Sequence, residues 1–524
     1  MITAPQSLPT RPQSQHGNTA QIMGCMASVI LIVLLCFSLI SLLGSESSKA
    51  FWPKKIAEIS FVDGQKMAGI LVRKTTEDGQ KKMLYRLGNA DITAEEYRWV
   101  LPQQLQEKSL ITYPLDLIYA ERLAQGIFIG TITGLSVPDG TLSKSDSAFI
   151  EKTQSLLKQA QLRRQQINRL EQQEIRKISQ GLGRIATNDP AYQHKNELLQ
   201  QKQQQLKQLQ EQDAKHQITL QTINGEEITL PLSGVVRLYY PNQLNFHKKL
   251  KVFGARIADF ITEPPRDANM AGGIWPAILG TALMTILLSL LITPLGVATA
   301  LFLREYTQQG ILVSLVRLSL RNLAAVPSVV FGVFGLGFFA YGLGGIIDEW
   351  FFAERLPTAT FGTGGILWSA CTMALLTLPI MVVATEEALG SIPNEQRQAA
   401  IAMGSTRWQM VRLVLLPQAL PGILTGVIMA MARGAGEVAP LVMVGVVKIA
   451  ATSPIDELWP FIHLERSFMH LGFHIFDVAF QAPDVEMGRP IAFATAFTLL
   501  FWVMLLNVIA MFMRYRIQLK RRGF

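Results

Sequence analysis

Two oppositely charged residues, Arg433 and Glu437, lie four positions apart in an otherwise apolar run near residues 419–447. On a continuous helix this spacing places both side chains on one face. A charge at mid-membrane costs about 3 kcal/mol. Some favourable interaction of the two side chains must offset this cost. In one interpretation the two side chains line a polar path, where Arg433 attracts an oxyanion and Glu437 tunes that attraction. In the other they form a salt bridge that fixes helix packing, with Gly434 and Gly436 allowing close approach.

Six apolar runs are long enough to cross a bilayer as helices, since about 20 residues at ~1.5 Å per residue cross ~30 Å of hydrocarbon. Arg433 and Glu437 are the only charges within these runs. The runs cover about residues 22–44, 274–303, 323–347, 362–385, 419–447 and 491–513. A helix satisfies its own backbone in lipid, so the sequence predicts an α-helical polytopic membrane protein with about six spans. The first run exceeds the length of a signal peptide core, which favours an uncleaved anchor.

A spaced motif occupies the polar stretch between the fourth and fifth runs, from Gln398 to Pro417. It reads Q-A-A-I-A-M-G-S-T-R-W-Q-M-V-R-L-V-L-L-P. This stretch resembles the coupling loop of bacterial ABC-type importer permeases, whose pattern is E-A-A, three residues, Gly, nine residues, then I-x-L-P. Residues in register with that pattern are Ala399, Ala400, Gly404, Leu416 and Pro417. Gln398 stands where the family usually has Glu, and Val414 stands where it has Ile.

The resemblance implies how energy reaches the transporter. In the family this loop lies as short helices in a groove of a separate ATPase subunit, which works as a dimer. Ala399 and Ala400 would permit close packing, Gly404 would permit the sharp turn, and Pro417 would end the second short helix. ATP and Mg would bind to that ATPase, because this chain has no G-x-x-x-x-G-K-[ST] motif. We therefore expect a transport subunit that is not an enzyme and binds no cofactor.

Three further segments are similar to the phosphate-specific subfamily of these permeases. They read E-P-P-R-D-A-N-M-A-G-G-I-W-P-A-I-L-G-T (263–281), N-L-A-A-V-P-S-V-V-F-G-V-F-G-L-G (322–337) and A-R-G-A-G-E-V-A-P-L (432–441). The last resembles the PstA-type subunit rather than its PstC-type partner, and the resemblance covers about residues 260–524. It implies import of inorganic phosphate by alternating access, with a PstC-like permease, an ATPase subunit dimer and a periplasmic phosphate-binding protein. Two alternatives stay open: a permease for another oxyanion such as molybdate or sulfate, and a membrane-anchored sensor or scaffold.

Lys and Arg near the span ends predict the orientation in the membrane. They cluster after the second run, in the coupling loop and in the C-terminal tail, so we expect these segments in the cytoplasm. A bacterial inner-membrane location follows, with a cytoplasmic tail at 1–21 and a large periplasmic domain at 45–265. The formal net charge of +9 fits this bias. We expect the lipid bilayer as surroundings and no nucleic-acid partner, because no basic-aromatic face accompanies the charge.

The predicted periplasmic domain changes composition twice along the chain. Short β-branched runs indicate strands within 50–140 and again within 216–242, where Asn224–Gly225 favours a hairpin. Residues 145–213 are rich in Gln, Lys, Arg, Glu and Leu, with apolar residues at mostly helical spacing. This pattern predicts an antiparallel coiled-coil hairpin inserted into a small β domain, broken at residues 188–190. A disordered Gln-rich linker is the alternative.

The rest of the chain, residues 266–524, is predicted to form an ABC importer permease core with five spans and a coupling loop at 386–417. His463, His470 and His474 stand at seven- and four-residue spacing before the last run. Imidazoles on one helix face can bind a transition metal. No H-E-x-x-H signature completes such a site, so we expect an interfacial amphipathic helix and no metal.

Overall fold

The computed structural model describes residues 15–77, 80–104, 111–138, 140–143, 149–182, 190–308, 310–457 and 459–522. Residues 1–14 of the predicted tail and residues 188–189 of the predicted helix breaker lie outside these ranges. Six helices in the described part are long and apolar enough to cross a membrane, which confirms the predicted number. The six spans are Ile22–Phe51, Trp275–Tyr306, Ser328–Phe351, Ile366–Gly390, Arg407–Gly436 and Val485–Arg516.

The first span belongs to helix α1 (Gln15–Phe51), which leads into an inserted domain that we define as residues 56–243. The first sheet of this domain is antiparallel throughout, with the strand order β4-β3-β2-β1-β5. Its elements are β1 (Ile56–Ser60), β2 (Lys66–Glu77), β3 (Gln80–Arg86), α2 (Ala90–Thr93), β4 (Tyr97–Val100) and β5 (Ile111–Thr112).

A second sheet packs against the first one. It contains β6 (Ile118–Arg122), β7 (Ile127–Val137), β8 (Gly140–Ser143), β9 (Gln217–Gln221), β10 (Glu227–Pro231) and β11 (Val235–Tyr239). The order is β10-β9-β7-β6-β11, and β8 pairs with β7. β9 and β10 pair across Asn224–Gly225, where Gly225 has φ +91°, so the predicted hairpin is confirmed. Buried residues such as Ile56 and Ala68 of the first sheet meet Tyr119 and Ile129 of the second.

A helical hairpin lies between β8 and β9. It consists of α3 (Phe149–Arg169), a π-helical turn (Leu170–Ile175), α4 (Arg176–Leu182) and α5 (Pro190–Ala214). The two arms are antiparallel, because Arg163 Nη1 donates to the Gln212 carbonyl at 3.2 Å while Lys202 Nζ lies 2.7 Å from Glu174. At its base, Phe149 and the α3 residues near it pack on the second sheet. Coiled-coil packing along the arms stays a prediction.

An amphipathic helix that the sequence reading missed, α6 (Phe246–Thr262), connects the inserted domain to the core. Its aromatic side chains pack on the end of α1, with ring centroids 5.0 Å apart for Phe51–Phe260 and 5.6 Å apart for Trp52–Phe253. A short hairpin of β12 (Pro265–Arg266) and β13 (Ala271–Gly272) follows it. Helix α6 thus packs on the same helix end from which the inserted domain departs.

The inserted domain is also attached to the start of the sixth span. Tyr97 donates to the Asp484 carboxylate, Arg73 Nη2 lies 3.0 Å from Glu486 Oε1, and Arg86 Nη1 lies 2.6 Å from the sulfur of Met487. Burial raises the pKa of Tyr97 far above its usual range, so its hydroxyl keeps the proton that it donates. Side chains of strands β2, β3 and β4 therefore bind the start of the last span.

The core carries five spans and several short helices. In chain order these are α7 (Trp275–Leu301) with a π-turn (Phe302–Tyr306), α8 (Ile311–Ala325), α9 (Ser328–Phe334), a π-helical segment (Gly335–Gly344), α10 (Gly345–Phe351), α11 (Ile366–Gly390), α12 (Asn394–Ala402), α13 (Arg407–Met410), a π-turn (Val411–Leu415), α14 (Leu416–Gly436), α15 (Ala439–Val444), α16 (Leu471–Phe476), a π-turn (Asp477–Gln481) and α17 (Val485–Arg522). Helix α11 lies at the centre, between α7 and α14. Small residues allow this, since a Cβ at Gly296 of α7 would lie 2.3 Å from Met381 of α11.

At two of the predicted span limits a helix breaks inside the apolar run, and a third limit also differs, since the fifth span begins at Arg407 rather than 419. The third span begins at Ser328 rather than 323, because Pro327 adopts ψ 135° and separates α8 from the span. The fifth span ends at Gly436 rather than 447, because Glu437 is extended (φ −82°, ψ 133°) and the chain turns into α15. In both cases the apolar run continues across a break in the helix.

Candidate coupling loop and translocation path

The turn at Gly404 joins two short helices between the fourth and fifth spans. The Gly404 N–H bonds the Ile401 carbonyl at 2.9 Å, and the Ser405 N–H bonds the Ala400 carbonyl at 3.2 Å. These two bonds form a Schellman cap on α12, whose C′ residue must take a left-handed conformation. Gly404 has φ +82°, as this cap requires. The predicted sharp turn is therefore present at the predicted residue.

A capping box starts the helix that follows. The Gln409 N–H donates to Thr406 Oγ1 at 3.2 Å, and the Thr406 N–H donates to Gln409 Oε1 at 2.8 Å. Such a reciprocal pair satisfies two backbone donors that a helix start otherwise leaves free. The Schellman cap and the capping box together fix both sides of the turn.

The coupling loop exposes apolar side chains that no part of the described chain covers. Trp408 is 57% exposed, Leu413 70%, Ile401 53% and Met403 88%. We call these four residues the coupling patch. Gln398 and Ala399 are exposed beside it, while Ala400, Val414 and Leu416 are partly buried against the core. Ile401 and Met403 lie outside the six spans, and Trp408 and Leu413 lie at the start of the fifth one. Exposed apolar side chains at such a helix turn indicate a surface that binds another protein.

Pro417 does not end a short helix, contrary to the prediction. The helix runs without interruption from Arg407 to Gly436, and Pro417 lies in the first turn of α14 directly after the π-turn at Val411–Leu415. A π-turn can absorb the missing N–H and the ring of a proline within a membrane helix. The second coupling helix is therefore the cytoplasm-proximal end of the fifth span in the predicted orientation.

A nearly buried ion pair anchors the first coupling helix to the bundle. Arg397 Nη2 lies 3.0 Å from Glu305 Oε1 at the end of the second span, and both side chains are largely buried. The same guanidinium donates to the carbonyls of Leu389 (2.7 Å) and Ile392 (2.6 Å) at the end of α11. α12 is thus bound to the ends of two spans through one side chain.

Arg433 and Glu437 form a loose pair at the end of α14. Arg433 Nε lies 3.6 Å from Glu437 Oε1, and the side chains are 39% and 26% exposed. They do not share a continuous helix face as predicted, because the helix ends at Gly436 between them. Gly434 packs tightly, since a Cβ there would lie 2.4 Å from Leu288, whereas Gly436 has open space around it. The two charged side chains are therefore only partly buried by the described part of the chain.

The folded spans reach beyond the ends of the apolar runs and include other charges there. Asp348 in the third span is nearly fully buried, and its carboxylate accepts the backbone N–H groups of Thr360 (2.7 Å), Phe361 (2.8 Å) and Gly362 (2.7 Å). The expectation that Arg433 and Glu437 are the only span charges is therefore wrong for the folded helices. Asp348 was missed because it follows the last apolar residue of its run, where the sequence reading placed a loop.

The three histidines do not lie on an interfacial helix, so that prediction is wrong. All three are buried, and only Leu471–Phe476 is α-helical there. His463 bonds Asp456 (2.9 Å) and Glu465 (3.2 Å), and His474 bonds Thr495 (3.1 Å). Burial lowers the pKa of His470 and of His474 to about 4, so both are neutral near pH 7. In the described ranges, no group of three or more His, Cys, Asp and Glu side chains could hold a metal ion.

Residues 292–523 match a family model described as "Binding-protein-dependent transport system inner membrane component". The phosphate transport system permease protein PstA of Yersinia pestis is 32% identical over 250 residues, which cover 48% of this chain and 74% of that protein. This chain belongs to that permease family. The permease is also 30% identical over 234 residues to the probable ABC transporter permease protein YqgI of Bacillus subtilis (strain 168), covering 43% of this chain and 74% of YqgI.

Two further proteins are similar to parts of the permease. PstA of Xylella fastidiosa (strain Temecula1 / ATCC 700964) is 33% identical over 181 residues, which cover 34% of this chain and 56% of that protein. A chain of the inward-facing MetNI methionine ABC transporter shares 18% identity over 47% of this chain and 94% of its own length. The TM-score of 0.33 is too low for an argument from that structure. The sequence relatives identify a PstA-like, multi-pass ABC transporter permease of the inner membrane.

Proposed function

We propose that this permease is the PstA-type subunit of an ATP-driven importer that moves inorganic phosphate from the periplasm to the cytoplasm by alternating access. Its partners in this proposal are a PstC-like permease, an ATPase subunit dimer and a periplasmic phosphate-binding protein. The observation that carries the proposal is the exposed coupling patch held between two capped helices.

The coupling patch suits an ATPase partner for a physical reason. Its four apolar side chains are more than half exposed, yet the backbone that carries them is fixed by the Schellman cap, the capping box and Arg397. A rigid apolar surface loses little conformational entropy on binding. Movement of a docked ATPase would reach the second and fourth spans directly, since Arg397 is bound to Glu305 and to the end of α11.

Arg433 and Glu437 suit a translocation path better than a packing role. A structural pair would be buried and closely bonded, but this pair is 3.6 Å apart and more than a quarter of the Glu437 side chain is exposed. A guanidinium that is only loosely paired keeps donors for an oxyanion. In this proposal Arg433 binds the passing oxyanion, and Glu437 takes Arg433 back when the anion leaves.

The choice of phosphate is supported by the named relatives. The relatives called PstA are phosphate transport system permeases, whereas the name of YqgI specifies no substrate. Molybdate or sulfate is the competing cargo, because each is also an oxyanion that Arg433 could bind. The scaffold alternative loses support from the family membership and the coupling patch.

An uptake measurement with the reconstituted complex tests this proposal. Proteoliposomes that contain both permeases and the ATPase, supplied with the binding protein, should accumulate labelled phosphate only when ATP is present inside. An equal excess of unlabelled molybdate or sulfate should compete poorly. If molybdate or sulfate is accumulated instead of phosphate, the substrate proposal is wrong while the importer class stands. No ATP-dependent accumulation of any of these anions would contradict both.

We also propose that the inserted domain lies in the periplasm and the coupling loop in the cytoplasm. Cysteines introduced at Gln200 on α5 and at Ser391 before α12 occupy exposed positions. In a background without the three native cysteines, a membrane-impermeant maleimide should label position 200 in intact spheroplasts. Position 391 should be labelled only after the membrane is opened. Labelling at 391 but not at 200 in intact spheroplasts would invert the orientation.

A further inference from the structure

A small polar pocket lies between two loops of the core, with a volume of about 340 Å³. We call it the loop pocket. It is lined by Arg355, Thr358 and Thr360 from the loop before α11, and by Thr452, Arg466 and Ser467 from the loop before α16. Glu465 also borders it. With Thr363, which also lines it, the pocket combines two guanidinium groups with five hydroxyls, which are the donor types that bind tetrahedral oxyanions.

Both walls of the loop pocket are held by bonds made behind it. On one side, the buried Asp348 carboxylate binds the N–H groups of Thr360, Phe361 and Gly362. On the other side, Arg466 Nη1 donates to the Ser453 carbonyl at 2.7 Å and to Asp456 at 2.5 Å. A site whose backbone is already ordered loses less entropy when an anion binds.

Arg355 and four of the hydroxyls at the loop pocket are available to a ligand, whereas Arg466 is already paired with Asp456. In the part of the chain that the structure describes, the hydroxyls of Thr358, Thr360, Thr452 and Ser467 donate no hydrogen bond to another protein group. Arg355 lies over the Phe352 ring at 5.4 Å, and no described carboxylate is within ion-pair distance of it. The one carboxylate at the rim, Glu465, is bonded to His463 at 3.2 Å.

The loop pocket borders the segment that leads from the charge pair. Helix α15 begins two residues after Glu437 and ends at Val444. The pocket residue Gly364 lies against that end, because a Cβ at Gly364 would be 2.4 Å from the Val444 carbonyl. One short helix therefore connects the two anion-attracting places.

We propose that the loop pocket is a second oxyanion site, which receives the anion before Arg433 and Glu437 engage it. The proposal rests on the import function above, and it adds the point of entry. Arg355 supplies a bidentate guanidinium, Arg466 adds N–H donors that its pairing with Asp456 holds in place, and the threonine and serine hydroxyls complete the coordination. We take the bound species to be a free oxyanion, since no large apolar side chain is among the residues that line the pocket.

Direct binding tests the proposal independently of transport. Labelled phosphate is titrated against the purified permease–ATPase complex in nanodiscs without the binding protein. Wild type and the control Glu354→Gln, next to Arg355 but outside the pocket, should bind equally. Arg355→Gln should bind about tenfold more weakly, because a charge-assisted bidentate contact is lost. Arg355→Lys should be intermediate, and Thr452→Val with Ser467→Ala should also weaken binding. Equal binding by Arg355→Gln and wild type, or none by wild type, would overturn the proposal.

Two further experiments distinguish the loop pocket from a lipid-headgroup site and test it separately from the import function. Nanodiscs are prepared with neutral and with anionic phospholipid, because competition by the anionic lipid would identify a headgroup as the occupant and overturn the proposal for a free anion. Uptake is measured in parallel. Arg355-dependent binding without import by wild type would contradict the import function alone. Import by wild type with an unchanged KM in Arg355→Gln would contradict the loop pocket alone.

Discussion

Replacing Arg433 with Gln is expected to reduce phosphate uptake to less than about a tenth of the wild-type rate. A lost charge-assisted contact is worth about 1.5–3 kcal/mol, and ~1.4 kcal/mol is tenfold in an equilibrium constant. The substitution also leaves Glu437 without its partner at the end of α14. Initial uptake rates of labelled phosphate, divided by membrane abundance of the permease, give the measured quantity. Glu437→Gln should reduce uptake less, since the positive charge remains.

The double variant Arg433→Gln with Glu437→Gln distinguishes the two roles considered for the pair. If the pair only fixes helix packing, removal of both charges is far less harmful than removal of one, and uptake should recover. If the pair handles the anion, the double variant should assemble with its partners and remain inactive. We expect the second result, because the pair is loose and partly exposed. Near-normal uptake by the double variant would defeat the translocation-path proposal.

Valine at position 404 is expected to abolish coupling while the permease remains in the membrane. Gly404 has φ +82°, and the space where a Cβ would be added is open, so the penalty comes from the backbone and not from a clash. A left-handed residue costs an ordinary side chain about 1–2 kcal/mol, and a β-branched residue more. The Schellman cap should open and displace Met403 and Trp408 of the coupling patch. Uptake should be lost together with ATPase co-purification.

A matched series at the same position provides the control for this prediction. Asn tolerates the left-handed conformation, so Gly404→Asn should retain most uptake, Gly404→Ala should lie between, and Gly404→Val should be lowest. The added volume alone cannot produce this order, because Asn is larger than Ala. Full uptake with normal ATPase association in Gly404→Val would show that this turn is not the coupling element.

The membrane spans and the coupling turn could be predicted because both are local properties of the chain. An apolar run long enough to cross lipid must form a helix there, and all six runs do. The turn at Gly404 depends on one glycine and its immediate neighbours. Span ends were harder to predict, since Pro327 and Glu437 interrupt helices inside apolar runs whose composition does not change.

Helix α6 was not predicted, although its apolar spacing is present in the sequence. The other features that were not predicted depend on tertiary contacts. Helix α6 places Phe246, Leu250, Phe253, Ile257 and Phe260 at helical spacing, a signal that was available in the sequence. By contrast, nothing in the sequence indicates that Asp348 binds a loop twelve residues away, or that Arg397 meets Glu305 ninety-two positions earlier. The histidines were predicted on an interfacial helix because their spacing in the sequence fits one helix face. That spacing does not reveal that the imidazoles are buried and bonded to Asp456, Glu465 and Thr495.

The attachment of β2, β3 and β4 to the start of the sixth span would couple a movement of that span to the inserted domain. Tyr97, Arg73 and Arg86 hold residues 484–487, so a tilt of that span is carried into the sheets and on to the helical hairpin based on them. Helix α5 has 25 residues, and at ~1.5 Å per residue it extends about 37 Å. A tilt of about 10° at the base would move such a tip by ~6 Å. A small tilt of the sixth span would thus become a displacement of several ångströms at the tip of the helical hairpin, where another protein could bind.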